Sequence, residues 1–234
     1  VVDSLPVHPR GLFVTGTDTE VGKTFLAGAI LAALTARGER VAAFKPVVTG
    51  LDHPQPDMPS DPELLAGAAG SALVDDVAAY GFGPAVSPHL AADEHGVDID
   101  PQVLVTGARA AGAGHDALVV EGAGGLLVPL RDTFLIRDLA LMLGLPVLIA
   151  ARPGLGTINH ALLTLEAARS AGLYVRAVVL TPWPDHPSGI QRSNLETIAR
   201  LGEVDVVTLP RAEHPTPAAL ARIGKTLPLD RWLA

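Results

Sequence analysis

Gly16-Thr17-Asp18-Thr19-Glu20-Val21-Gly22-Lys23-Thr24 follows the apolar run Leu12-Phe13-Val14 and opens the helix-patterned stretch Phe25 to Ala36. A strand, a glycine-bearing turn and a helix in that order make a phosphate-binding loop. Backbone N–H groups of the turn surround phosphate oxygens, the helix N-terminus adds partial positive charge, and Lys23 adds a full one. Thr24 offers its hydroxyl to a magnesium ion. The loop is a variant of G-x-x-x-x-G-K-[ST]: five residues separate Gly16 from Gly22, and Thr17 stands where the first glycine is usual. A plain glycine-rich turn is the competing reading, and the flanking strand and helix weigh against it.

Around this loop lie 234 residues, 48% of them hydrophobic, enough for the core of one α/β domain spanning 1–234. A net charge of −8 leaves no basic stripe for a row of nucleic-acid phosphates. The chain has no cysteine, which excludes disulfides, thiolate metal sites and cysteine nucleophiles and fits a reducing, cytoplasmic setting. Val1 to Arg10 lacks an apolar leader-like core, and no later apolar run reaches spanning length without Gly, Pro or a charge, so no membrane association is expected.

The first helix should stop at Gly38. Val41-Ala42-Ala43-Phe44 reads as a strand ended by Lys45-Pro46, since proline does not continue a central strand. That puts Lys45 at a strand's C-terminal end, where open α/β sheets hold their ligands. Leu51 to Pro62, with four prolines and three aspartates, is too irregular for an element and leads into a helix at Glu63-Leu64-Leu65-Ala66, with Asp61 as its cap. Gly81 to His95 reads as a further loop, and the stretch from Leu51 to Ala92 is the expected place for a substrate pocket. A helix is expected around Val103 to Ala111. The apolar strand Ala117 to Val120 ends in Glu121-Gly122-Ala123-Gly124-Gly125, an acid where phosphate-loop proteins handle magnesium. Then come a helix near Ile136–Leu143, a strand Pro146–Ala150, a turn Pro153–Gly156, a helix Ile158–Ala171, a strand Val175–Leu180, a helix Leu195–Leu201 and a strand Val204–Leu209. The alternation predicts a three-layer α/β fold of the phosphate-loop NTPase kind, with a mostly parallel central sheet covered by helices on both faces.

Together the motifs resemble those of the dethiobiotin synthetases. The likeness runs through Val14 to Thr24, Lys45-Pro46-Val47 with Thr49-Gly50, Ser87-Pro88-His89, Val120 to Gly125 and Leu155-Gly156-Thr157-Ile158-Asn159-His160. It is weakest beyond Thr181. It implies an ATP-dependent cyclo-ligase that turns 7,8-diaminononanoate and carbon dioxide into a carbamate, phosphorylates it and closes a cyclic urea. By this resemblance Lys23 holds the β- and γ-phosphates, while Thr24, Asp61 and Glu121 arrange magnesium. Lys45 stabilises charge shared by carbamate and γ-phosphate. The nucleotide is bordered by Thr19, Glu20, Val21, Gly22, Phe25, Gly122, Ala123 and Gly124. Thr49 contacts the diamine or its carbamate, and the turn Leu155, Gly156, Thr157, Ile158 and Asn159 takes the diamine's distant carboxylate across a homodimer interface. Thr181, Pro182, Pro210, Arg211 and Ala212 lie at the base. Family members often carry Asn-Asp where Thr181-Pro182 stands, so weak discrimination among bases is expected.

Each assignment has a plainer competitor. Lys45 could be an exposed strand-end lysine, Glu121 a turn cap and Asp61 only a helix cap. His89 and His160 read as structural, and Trp183 and Trp232 as packing residues. Two other functions compete: a regulatory ATPase of the partitioning type, and a non-catalytic domain descended from the synthetase. The first usually carries an extra lysine early in the loop, where this chain has Thr17-Asp18-Thr19. Retention of Lys23, Thr24, Lys45 and Glu121 weighs against the second.

Overall fold

The computed structural model describes residues 10–55, 58–71, 73–212 and 214–234. The leader reading on Val1 to Arg10 therefore lies almost wholly outside the described residues, as do Pro56 and Asp57 of the irregular stretch.

Runs of apolar residues such as Leu12-Phe13-Val14 can be hidden only if both faces of a strand are covered, and the fold does this. Strands β1 (Arg10–Gly16), β2 (Val41–Val48), β3 (Ala78–Gly81), β4 (Ala117–Gly125), β7 (Val147–Ala151), β8 (Val175–Trp183) and β9 (Asp205–Pro210) form one sheet. Its order is β3-β2-β4-β1-β7-β8-β9, and every neighbouring pair is parallel. Alternate residues serve opposite cores. Leu12, Val14, Val119, Leu148 and Val179 meet α1 (Lys23–Thr35), α2 (Asp61–Ala69), α8 (Pro217–Gly224) and α9 (Leu229–Trp232). Phe13, Val120, Ile149 and Val178 meet α4 (Pro101–Gly112), α5 (Ile136–Leu143), α6 (Thr157–Ser170) and α7 (Gly189–Gly202). A small antiparallel pair, β5 (Pro129–Arg131) and β6 (Phe134–Leu135), precedes α5.

The chain leaves β1 by α1 on one face and leaves β4 by α5 on the other. A crevice therefore opens at the C-terminal ends of these two adjacent strands, the place where such sheets bind ligands. The phosphate loop and Glu121 both lie there.

Four expectations change in detail. β2 runs through Pro46 to Val48. Lys45 N–H donates to Val77 O on the β3 side, so the missing N–H of Pro46 faces β4, whose pairing with β2 has already ended at Phe44 and Val120. No ladder bond is lost, and the proline costs the strand little. The cap of α2 is Ser60, not Asp61: the Glu63 carboxylate accepts from Ser60 N–H at 2.8 Å and Ser60 Oγ at 2.7 Å. Asp61 is thereby left free for the site. Gly81 to His95 is not one loop, because Ser87-Pro88 starts helix α3 (Pro88–His95), with proline at a position where its missing N–H is harmless. α7 begins six residues before the expected Leu195, at a Ser188–Gln191 capping box.

Helix α1 is buried almost all round, from Leu26 to Leu34. α8 closes its outer side so tightly that a Cβ on Gly224 would sit 2.0 Å from the Ala29 carbonyl oxygen. Gly224→Ala is therefore expected to force the helices apart and cost about 3 kcal/mol of stability, at the upper end of overpacking effects. Urea denaturation measures it, and an unchanged midpoint would contradict this packing.

Candidate active site

The loop is shaped by two left-handed residues, Gly22 at φ 88 and Glu20 at φ 54. Gly22 alone can serve at its position, because a Cβ there would also lie 2.7 Å from Thr181 Cγ2. Val21 is buried in the core and Phe25 packs against it, while Thr19 and Glu20 face solvent. Lys23 is buried and its Nζ donates to the Asp18 carbonyl at 2.8 Å. Burial pulls its ammonium below the ordinary lysine value, and Glu121 offsets only part of this.

Beside it three chain segments meet. Thr24 opens α1, Asp61 opens α2, and Glu121 pairs with Val14 in the middle of the sheet. Thr24 Oγ1 lies 3.0 Å from Asp61 Oδ1 and 2.9 Å from Glu121 Oε1. Lys45, 4% exposed, reaches the same carboxylates, 2.5 Å from Glu121 Oε1 and 2.8 Å from Asp61 Oδ2. It is thus a buried partner of two acids and not an exposed strand-end lysine. Burial alone would lower the Lys45 ammonium, but the Glu121 and Asp61 charges together hold it above its ordinary value. Burial pushes Glu121 up despite Lys45. Asp61, with 44% of its side chain accessible, is kept low chiefly by Lys45, against the effect of burial.

The donor chemistry suits a divalent cation. Thr24 has one hydroxyl proton for two carboxylate neighbours, and Glu121 Oε2 is buried without a partner. Three hard oxygens next to a phosphate loop are what magnesium takes while sharing the rest of its shell with phosphates and water. Among the described residues no group of three or more His, Cys, Asp or Glu could hold a metal without such help.

The rest of the expected site falls around this centre unevenly. Gly122, Ala123 and Gly124 follow Glu121 along β4, with Gly124 at φ 60. Thr49 comes directly after β2. Thr181 is buried against Gly22, Pro182 is exposed, and Pro210 pairs with Trp183. Arg211 is exposed, whereas Ala212 belongs to the core. Leu155 is 93% exposed at the turn before α6, whose N-cap Gly156 has φ 90. Thr157 is buried, Ile158 half-buried and Asn159 exposed. His89 pairs with Ser87 Oγ at 3.1 Å, Trp232 is wholly buried, and Trp183 packs against the core.

One neighbour escaped the sequence reading. Arg152, just after β7, donates to Asp18 Oδ2 at 3.0 Å, and Thr17 N–H donates to Ala150 O on the same strand. The phosphate loop is therefore tied to β7 from outside. No local pattern signals a contact between residues so far apart in sequence.

Among the described residues no helix is long and apolar enough to cross a membrane. A family model described as an AAA domain matches residues 10–217. Among solved structures, the chain resembles the signal recognition particle receptor FtsY from Elizabethkingia anophelis in complex with GDP, with a TM-score of 0.52 at 14% identity over 95% of this chain and 65% of that one. It also resembles the signal recognition particle 54 kDa protein from Aeropyrum pernix in complex with GDP, with a TM-score of 0.52 at 17% identity over 98% of this chain and 49% of that one. These likenesses show the three-layer fold alone. Much nearer are proteins named ATP-dependent dethiobiotin synthetase. That of Anaeromyxobacter dehalogenans is 46% identical over 93% of this chain and 95% of its own. That of Caulobacter sp. is 40% identical over 90% and 92%, and that of Bacillus subtilis 35% over 92% and 94%. Likeness of this degree along nearly the full length of both partners is decisive, and the chain belongs to the ATP-dependent dethiobiotin synthetase family.

Proposed function

We propose that this protein makes dethiobiotin from 7,8-diaminononanoate, carbon dioxide and ATP, releasing ADP and phosphate, as a single domain working in the cytoplasm. The observation that carries this reading is Lys45, buried beside the phosphate loop and bonded to two carboxylates. A partitioning-type switch has no need of such a buried lysine shared between two carboxylates beside the phosphate loop.

One amine of the substrate attacks carbon dioxide, forming an N–C bond and losing a proton to give the carbamate. A carbamate oxygen then attacks the γ-phosphorus as the bond to ADP breaks. The second amine attacks the carbamoyl carbon and loses a proton, and phosphate leaves as the ring closes. Lys23 would exchange the Asp18 carbonyl for β- and γ-phosphate oxygens. Thr24, Asp61 and Glu121 would hold magnesium, which when bound neutralises charge on the β- and γ-phosphates. Lys45 would donate to the oxygens that share charge during transfer. Thr49 and the backbone of Gly122 to Gly124 would border the carbamate.

The distant carboxylate would bind the N–H groups at the start of α6, around Gly156 to Asn159, where the helix field favours an anion. The exposed Leu155, Leu163 and Ile190 on and around α6 support a homodimer that shares this site. A fully active monomer in sedimentation at assay concentration would remove the shared site.

Thr181 spends its side chain packing on Gly22, and Pro182 has no N–H to offer a base edge. CTP and GTP are therefore expected to support turnover within about tenfold of ATP, since the bidentate amide contact that would add discrimination of roughly 1–3 kcal/mol is missing. Competition among the three nucleotides checks this, and a preference for ATP above about a hundredfold, more than one such contact supplies, would show that adenine is read elsewhere.

Mass detection of dethiobiotin from diaminononanoate, bicarbonate, magnesium and ATP, with ADP followed in parallel, tests the reaction itself. ADP release without product would favour the switch.

A further inference from the structure

We propose that Asn194, on α7, is a positioning residue for the substrate's carboxylate, acting through the turn that opens α6; this rests on the placement of that carboxylate at the α6 N-terminus. Asn194 is buried, at 6% exposure, among the few polar side chains of the core. Its amide nitrogen donates to Pro153 O at 3.0 Å and Gly154 O at 2.9 Å, one hydrogen for each carbonyl. Gly154 O also accepts the Thr157 N–H at 3.3 Å, so Asn194 grips the same carbonyl that fixes the first helical residue.

The turn has little else to hold it. Gly156 caps the helix without a side-chain bond. Leu155 is 93% exposed, and a Cβ on Gly154 or Gly156 would meet nothing within 4 Å. Two glycines around an unpacked leucine lose much backbone freedom on ordering. The same openness leaves the N–H groups of Ile158 and Asn159, which have no carbonyl one turn back within the helix, free to meet a ligand. Thr157 Oγ1, at the first residue of the helix, is buried without a partner. An uncapped helix start that must present N–H groups to an anion cannot supply its own cap. Asn194 fixes it from the neighbouring helix without touching the ligand.

The test uses the full-length enzyme with Asn194→Ala and the equal-sized Asn194→Asp, which turns a carboxylate toward the two carbonyls. Four quantities are read: KM for diaminononanoate, kcat, ATP affinity by calorimetry, and kcat/KM for the same diamine chain lacking its carboxylate. KM for diaminononanoate is expected to rise about tenfold, with kcat and ATP affinity within about twofold of wild type, as suits lost ground-state binding. The substitutions should leave kcat/KM for the carboxylate-free diamine unchanged. A merely structural role would lower activity toward both diamines alike, and that result, or an unchanged KM in a folded variant, overturns the proposal. If the wild-type enzyme itself treats the two diamines equally, the carboxylate does not bind at α6, and the placement falls together with the role of Asn194.

Discussion

Lys45→Ala is expected to leave ATP binding within about threefold of wild type while lowering turnover on the order of a hundredfold or more, the scale of losing one preorganised donor at developing charge. The separation follows from where the side chain sits. Lys45 bonds Glu121 and Asp61, whereas in the proposed reaction Lys23, now on the Asp18 carbonyl, and the loop N–H groups would hold the phosphates. Ground-state affinity therefore rests on the loop. Calorimetric titration with ATP and product formation by the same variant give the two numbers, and turnover within about threefold of wild type would remove Lys45 from the chemistry. Circular dichroism is needed beside them, because the substitution leaves the buried Glu121 without its cation, which is destabilising in itself.

Glu121→Gln is expected to cost on the order of a thousandfold in turnover, since in the proposed reaction it would act on charge at the transferring phosphoryl group and on Lys45 together. Glutamine fills the same volume but brings no negative charge to the oxygen that Lys45 and Thr24 both approach. Its NH2 would have to occupy the partnerless position of Oε2. Manganese binding in the presence of ATP, followed by electron paramagnetic resonance, should weaken by about tenfold or more, in line with one lost ionic oxygen ligand. ATP binding in EDTA should stay near wild type. If cation affinity is unchanged, Glu121 serves only as the counter-ion of Lys45.

Much of this architecture can be read from the chain because its physics is local. Strands buried on both faces are uninterrupted apolar runs, and Leu12 to Val14, Ala117 to Val120 and Val147 to Ala151 are of this kind. The phosphate loop carries its spacing in nine consecutive residues. Some features depend on partners distant in sequence, others on local signals that compete with one another. That Pro46 could stay inside a strand follows from the register of β4, which ends two residues earlier. Asp61 reads as a cap, but Ser60 beside it is an equally good one, and Glu63, three residues on, decides for Ser60. Helix α8 carries only one weak local mark, its start at Thr216-Pro217, where Thr216 Oγ1 accepts the Ala219 N–H at 3.2 Å. In the site, the residue types were legible. The sharing of Lys45 between two acids, and the grip of Arg152 on Asp18, were not, since both join segments that only the sheet brings together.

The close seating of Gly224 on Ala29 also bears on the order in which the molecule can be made. Helix α1 begins at the phosphate loop, and its outer side is covered by residues 217–224, which leave the ribosome long after it. Until those emerge, the side of α1 that carries Gly28, Ala29 and Ala33 lacks Leu220 and Gly224 to cover it and faces water or a chaperone. A contact spanning nearly 200 residues is slow to close. A nascent chain halted before residue 217 would have its nucleotide loop written in full and yet expose an apolar stripe along the helix behind it. Such a stripe invites aggregation, so α8 acts as a late seal on α1.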